Sequence, residues 1–203
     1  MHDPAIASIR INGGRLCLDF VNTATWADGR ADRDFLCNFS DLLTWGARQG
    51  LLDDKDVLRL RSRPQDFGAT TVLARARELR SALRALFERG AAASRVKSAL
   101  GLINVRLSEA SCALAIECAG ATVRLARQPG LDDWLTAPLL VSALDLATSP
   151  ARSSVRVCPG DDCHWLFLDS SRNGTRRWCS MESCGNKAKA RAHYLPRRTG
   201  YSL

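Results

Sequence analysis

Histidine is scarce in this chain of 203 residues: His2, His164 and His193 are all there is, and none has an evident catalytic partner. No nucleophile elbow, phosphate loop or HExxH motif occurs, so the familiar signatures of acyl transfer, nucleotide chemistry and zinc proteolysis are missing. These absences argue against an enzyme. No apolar run approaches the roughly 20 residues needed to span a bilayer as a helix. The first residues, Met1-His2-Asp3-Pro4, lack the basic-then-apolar order of a signal peptide. Both observations point to a cytoplasmic chain, in which cysteines stay reduced. Internal repeats and low-complexity segments are also absent.

Cysteine, by contrast, is present eight times. Cys17, Cys37, Cys112 and Cys118 are scattered and read as small buried hydrophobes. Cys158, Cys163, Cys179 and Cys184 are ordered as C-x4-C-x15-C-x4-C. Structural zinc takes four thiolate or imidazole ligands in a tetrahedron, and two close pairs let each tight turn grip one side of the ion. In a reducing compartment this pattern favours one zinc over disulfides. His164, next to Cys163, is the alternative fourth ligand. Catalytic zinc keeps a position open for water, whereas four thiolates close the shell, which points to a structural ion.

The remainder divides into patterned segments. Arg15–Val21 (RLCLDFV) reads as a strand after an Asn12-Gly13-Gly14 turn. Residues 24–37 show no period and read as loop. Asn38 is a helix N-cap with Asp41 three residues on, and Gly50 ends that helix, which carries Leu42, Leu43 and Trp45. A short helix follows near 54–62. Val72, Ala76, Leu79, Leu83 and Leu86 make one apolar helical face, with Arg75, Arg77, Arg80 and Arg84 largely off it. After the Gly90 break and a Ser94 cap, Val96, Leu100, Ile103 and Leu107 repeat the pattern, so two antiparallel helices are expected. Alternation at Leu114, Ile116 and Cys118 and again at Val123 and Leu125, about an Ala119-Gly120-Ala121 turn, reads as a hairpin. Thr136 caps a last helix with Pro138 in its first turn and Leu139, Leu140, Ala143, Leu144 and Ala147 as its buried stripe. Residues 149–154 (SPARSS) have linker composition, which sets a boundary between 1–150 and 151–203.

Charge follows the same division. Residues 151–203 hold ten basic and four acidic groups, a net +6, against 19 and 17, a net +2, in residues 1–150. A basic block is an electrostatic footprint for polyanions, although basic ends also serve only to solubilise. Within the block, Trp165–Asp169 reads as a strand, Asn173-Gly174 as a type I′ turn and Arg176–Trp178 as the returning strand. Cys184–Tyr194 reads as a helix starting at the last ligand. This order of turn, hairpin and helix matches a treble-clef finger. Arg172, Arg176 and Arg177 fall on the hairpin; Lys187 and Arg191, four apart, share a helical face, and Lys189 points away from it. Arg197 and Arg198 extend the charge. Such groups neutralise phosphates without reading sequence. Trp165 and Trp178 read as hairpin core. A cluster of Asp19, Asn22 and Thr23 near a strand end marks a candidate ligand-binding site, against the plainer reading of turn and capping chemistry.

At these residues the chain resembles the CGNR zinc-finger family. Cys184-Gly185-Asn186-Lys187 stands at the family's name motif, and Trp165–Asp169, Ser171–Gly174 and Arg176–Met181 are also similar. Lys187 replaces the motif's Arg, keeping charge but losing the bidentate fork. The segments Leu18–Thr23, Asp41–Trp45 and Gly50–Leu52 resemble the ABATE domain that precedes this finger. The resemblance implies a stress-related bacterial transcription regulator with a C-terminal DNA-binding finger. The expected fold is α+β: a mainly helical N-terminal domain with a small antiparallel sheet, plus a treble-clef-like finger. The expected partners are DNA, a small-molecule effector and a second copy in a homodimer; an RNA- or protein-binding zinc module is the alternative.

Overall fold

The computed structural model describes residues 6–63, 68–111, 114–120, 122–127 and 133–194. Seven α-helices and three hairpins are found there. In chain order they are α1 (Leu16–Val21), β1 (Ala24–Ala27), β2 (Arg30–Asp34), α2 (Phe39–Arg48), α3 (Asp54–Arg61), α4 (Ala69–Phe87), α5 (Ala93–Ser111), β3 (Leu114–Ala119), β4 (Thr122–Arg127), α6 (Asp133–Thr148), β5 (Val155–Val157), β6 (Leu166–Leu168) and α7 (Asn186–Tyr194). The strands pair as β1–β2, β3–β4 and β5–β6, each antiparallel and two-stranded. The N-terminal part is thus mostly helical with small antiparallel sheet, as expected. No helix among the described residues is long and apolar enough to cross a membrane.

The segment Leu16–Val21 is a helix, not the expected strand. Cys17 through Val21 are all buried, and α1 packs on α4, α6 and β6 at once. A strand would turn alternate side chains to opposite faces; a central helix buries neighbours in several directions together. Residues 24–37 are not a plain loop either. Asp28 and Gly29 have φ of 48° and 71° and close the β1–β2 hairpin. Both central positions of a type I′ turn need positive φ, which Asp-Gly tolerates.

Helix α2 begins as the sequence indicates. The Asn38 side chain accepts from the Asp41 backbone N–H at 3.0 Å, and Asp41 accepts from that of Asn38 at 3.1 Å, a reciprocal capping box. Gly50 follows the helix with φ of 69°, where any other residue would be strained. The α4 stripe Val72, Ala76, Leu79, Leu83 and Leu86 is buried as expected, but so are Arg80 and Arg84, each 1% exposed. Both are expected off the apolar face, yet they lie inside the fold. Two other expected stripes hold in part: Ile103 of α5 and Leu139, Leu140 and Ala143 of α6 are buried as expected, joined by Ala99 and Leu146, but Leu100 and Leu144 face solvent. Helix α5 starts at Ala93, before Ser94, and α6 at Asp133, before Thr136, so Pro138 lies inside α6. Burial of Trp134 and Leu135 explains the added turn of α6: a Cβ on Gly46 of α2 would lie 2.3 Å from the Trp134 ring.

Residues 149–154 do not run free between two bodies. Pro150–Ser154 form a 3-10 helix. A single buried cluster runs from Ile6 and Leu18 through Leu83 and Leu139 to Leu166, Phe167 and Cys179.

Candidate metal centre and cationic surface

Strand β5 leads directly into Cys158, and the chain turns through Pro159-Gly160 to Cys163 before returning as β6. Cys158 N–H donates to the Trp165 carbonyl at 2.8 Å and Cys163 N–H to that of Gly160 at 3.0 Å, which closes the knuckle. A Cβ on Gly160 would lie 3.2 Å from the Cys184 Sγ, so a bulkier residue would crowd the cluster. A π-helical turn, Met181–Gly185, carries Cys184 and runs straight into α7. The last ligand therefore sits in the turn that feeds the helix, as the spacing implies.

The four sulfurs lie within 4.8 Å of one another. Cys163 and Cys179 are 3.6 Å apart and Cys179 and Cys184 3.7 Å. A tetrahedron with Zn–S bonds of about 2.3 Å has S···S edges of about 3.8 Å, so the cage fits zinc. The same separations are far beyond the roughly 2.05 Å of a disulfide. The thiols titrate as a group: hydrogen bonds from Cys163 and Cys179 hold Cys158 well below the ordinary thiol range, while its bond to Cys158 pushes Cys163 up. A bound metal would displace the thiol protons. His164 donates no ligand to the group; its backbone, not its ring, is engaged. Cysteine burial elsewhere is mixed. Cys17 is buried, and burial pushes its thiol up to about 11. Cys37 and Cys118 are exposed, contrary to expectation, and Cys112 lies outside the described residues.

Between Cys163 and Cys179 the expected hairpin is replaced by another. β6 pairs with β5, and Arg176–Trp178 form no strand. Gly174 has φ of 60°, but Asn173 is not in the positive region, so the type I′ turn is absent. The reason is Asp169. Its carboxylate accepts from the Ser171 N–H at 3.0 Å, the Ser171 hydroxyl at 2.6 Å and the Arg176 N–H at 3.1 Å, wrapping residues 169–176 around itself. The Arg176 side chain completes the loop. It donates to the carbonyls of Trp178 at 3.1 Å, Leu168 and Asn12 at 3.4 Å and also Cys179, and lies 4.6 Å over the Phe167 ring.

Arg176 is accordingly turned toward the fold. The other expected cations are exposed: Arg172, Arg177, Lys187, Lys189 and Arg191. Arg177 lies 5.0 Å over the Trp178 ring. Lys187 and Arg191 line one groove of about 270 Å3 together with Trp178, Cys163 and Cys184, and Lys189 is not part of it. Arg191 pairs there with Asp161 and, at 3.9 Å, with Asp162. Arg197 and Arg198 lie outside the described residues.

Asp19, Asn22 and Thr23 come together but not around an opening. All three are buried. Asp19 accepts from the Gly13 N–H at 2.7 Å, and Thr23 donates to the Phe20 carbonyl at 2.7 Å and accepts from Arg80 at 3.1 Å. Asn22 bonds both backbone groups of Leu166. Protein groups thus occupy the side chains expected to meet a ligand. Sequence reasoning missed Arg80 and Arg84 as interior residues. The available signal was that both fall beside the α4 apolar stripe, one turn apart.

Residues 14–150, two thirds of the chain, match the ABATE family, described as "Putative stress-induced transcription regulator", and residues 154–197 match the CGNR zinc finger. No curated protein matches the chain.

Proposed function

The chain belongs to the ABATE family, and on that premise we propose that it is a zinc-containing transcription regulator whose finger contacts DNA. One observation supports this above others: Lys187 and Arg191 of α7 share a groove with the half-buried Trp178 beside the four cysteines. Arg172, Arg177 and Lys189 are exposed in the same segment and add to its net +6. Cations placed on a short rigid helix, itself anchored by a metal, hold the spacing that phosphate contact requires. Asp161 and Asp162 already pair with Arg191, so a phosphate must compete with them for the guanidinium. In this reading the residues before the finger sense a ligand or mediate self-association, no catalysis is involved, and the protein works in the cytoplasm. A groove of about 440 Å3 between α4 and α5, lined by Glu78, Ser81, Arg95 and Ser98 among others, supplies polar groups for sensing.

The test is binding of the zinc-loaded full chain to duplex DNA across a salt series. Lys187→Ala with Arg191→Ala should weaken binding and reduce the slope of log affinity against log salt by about 2, with zinc retained. Unchanged affinity removes α7 from the interface. The half-buried Trp178 in the groove favours one second reading, stacking of an unpaired RNA base. Tighter binding of single-stranded RNA than duplex DNA in the same series would select it.

A further inference from the structure

The return arm of the cysteine knuckle is held by residues outside the finger. Four consecutive positions are involved. The Cys163 carbonyl accepts from the Trp26 backbone N–H at 3.4 Å. The His164 carbonyl accepts from Arg84 Nη1 at 2.5 Å. Trp165 Nε1 donates to the Ala24 carbonyl at 2.9 Å. Leu166 is paired on both backbone groups with Asn22, at 2.8 and 2.9 Å.

Among these contacts Arg84 is the unusual one. It is a cation 1% exposed in the core, and burying a charge is costly unless partners offset it. Glu88 Oε1 accepts from its Nη2 at 2.7 Å, but Glu88 also serves Arg95 at 3.4 Å, so its charge is shared. The Arg84 guanidinium lies 5.3 Å over the Trp26 ring. Its remaining contact is the residue joined directly to Cys163. His164 has φ of 51°, a conformation that non-glycine residues adopt only when surroundings hold them there. A divalent ion with four thiolates carries a net charge of about −2. A buried guanidinium beside one ligand is a counter-charge to it, as Arg176, bonded to the Cys179 carbonyl, is on the other ligand pair.

We propose that Arg84, on helix α4 of the ABATE segment, is a positioning residue of the zinc centre. It fixes the backbone between Cys163 and Trp165 and offsets the negative charge of the zinc–thiolate group. Zinc affinity therefore depends on the N-terminal helices, and by linkage zinc stabilises α4 in return. The inference rests on the zinc centre alone and stands whether or not the finger binds nucleic acid.

Partners just outside a metal's ligands typically contribute about ten- to a hundredfold in affinity. Zinc affinity of the full chain, measured by competition with a chromophoric chelator, should fall by about that factor in Arg84→Met. Arg84→Lys, which restores charge without the fork, should lie between. Arg80→Met is the control: Arg80 is equally buried one turn away but pairs with Asp34 and Thr23, not with the knuckle. It should lower thermal stability and leave zinc affinity within about twofold. The visible bands of the cobalt-loaded protein should shift in Arg84→Met and not in Arg80→Met. Equal zinc affinity in wild type and Arg84→Met, or equal losses in Arg84→Met and Arg80→Met, would overturn the proposal. Should Arg84→Met not fold, Arg84→Lys decides it: it must bind zinc more weakly than wild type, and unchanged affinity refutes the proposal.

Discussion

Asn22 is bonded to Leu166 at both ends of its amide: Nδ2 donates to the Leu166 carbonyl at 2.8 Å, and Oδ1 accepts from its N–H at 2.9 Å. The side chain stands in for a neighbouring strand on β6. It joins the end of α1 to the strand that leaves the cysteine knuckle. Asn22→Ala would leave two buried backbone groups of Leu166 unpaired. The cost should be about 2–6 kcal/mol, from two unsatisfied groups costing about 1–3 kcal/mol each. Urea unfolding of the zinc-loaded protein measures it, and a loss below about 0.5 kcal/mol would mean that water or a shifted backbone replaces the amide.

The half-buried Asp34 pairs with the fully buried Arg80. Arg80 donates to both carboxylate oxygens, at 2.7 and 2.5 Å, and also to the Thr23 carbonyl and hydroxyl. Burial pushes the Asp34 carboxyl up, but the Arg80 bonds and charge outweigh it and hold it below the usual range. Asp34→Asn strands a guanidinium in the core. We expect a loss of about 1–3 kcal/mol, because the Asp34 side is part-exposed and Arg80 keeps its bonds to Thr23. Replacing the pair together, Asp34→Asn with Arg80→Met, should recover part of that loss. A double variant no more stable than Asp34→Asn alone would argue against the pair as its cause.

Asp19 provides a pH test. Desolvation by burial raises its pKa from 3.8 to about 6, against the opposing hydrogen bonds from the Gly13 and Asn12 backbone. A carboxyl with a raised folded-state pKa favours the folded state most when protonated. Its contribution is complete below about pH 4 and is lost as pH rises through about 6, on the order of 2–3 kcal/mol in all. Asp19→Asn keeps an oxygen for the Gly13 N–H and cannot ionise. The stability of wild type minus that of Asp19→Asn should therefore fall between pH 4 and pH 7. Taking this difference cancels the effect of acid on the thiolates. A difference that is flat, or that rises with pH, contradicts the assignment.

Metal content is the plainest measurement. Purified protein should carry one zinc per chain, and Cys158→Ser or Cys184→Ser should lower it. Because the finger shares its core with α1, α4 and α6, chelation should also lower the melting temperature of the whole chain. If residues outside 155–194 melted unchanged after zinc removal, that shared core would not be transmitting the effect.

Legibility in the sequence followed the range of the interaction. The C-x4-C-x15-C-x4-C pattern, the Asn38 capping box, the Gly50 stop, the β3–β4 hairpin and the apolar stripe of α4 all depend on residues close in the chain. Other features were misread for physical reasons. RLCLDFV has the β-rich composition of a strand, but its neighbours demand burial on several sides. Asp28-Gly29 was a usable hairpin signal hidden in a stretch without period. Asn173-Gly174 was a false one, because the Asp169 carboxylate organises the loop that contains it.

By itself, then, the sequence determined the zinc ligands, the basic character of the segment that carries them and most helix positions. These follow from spacing, composition and periodicity. Only the tertiary structure decided that Arg80 and Arg84 lie inside, that Asp19, Asn22 and Thr23 are bonded within the fold, and that the finger is fastened to α1, β1 and α4. The burial of the two arginines and the bonding of Asn22 depend on partners 46 to 144 residues apart in the chain, such as Arg80 with Asp34 and Asn22 with Leu166. No local pattern encodes such a meeting. It arises when burial of the surrounding apolar faces brings a polar group to the one carbonyl or carboxylate that can satisfy it.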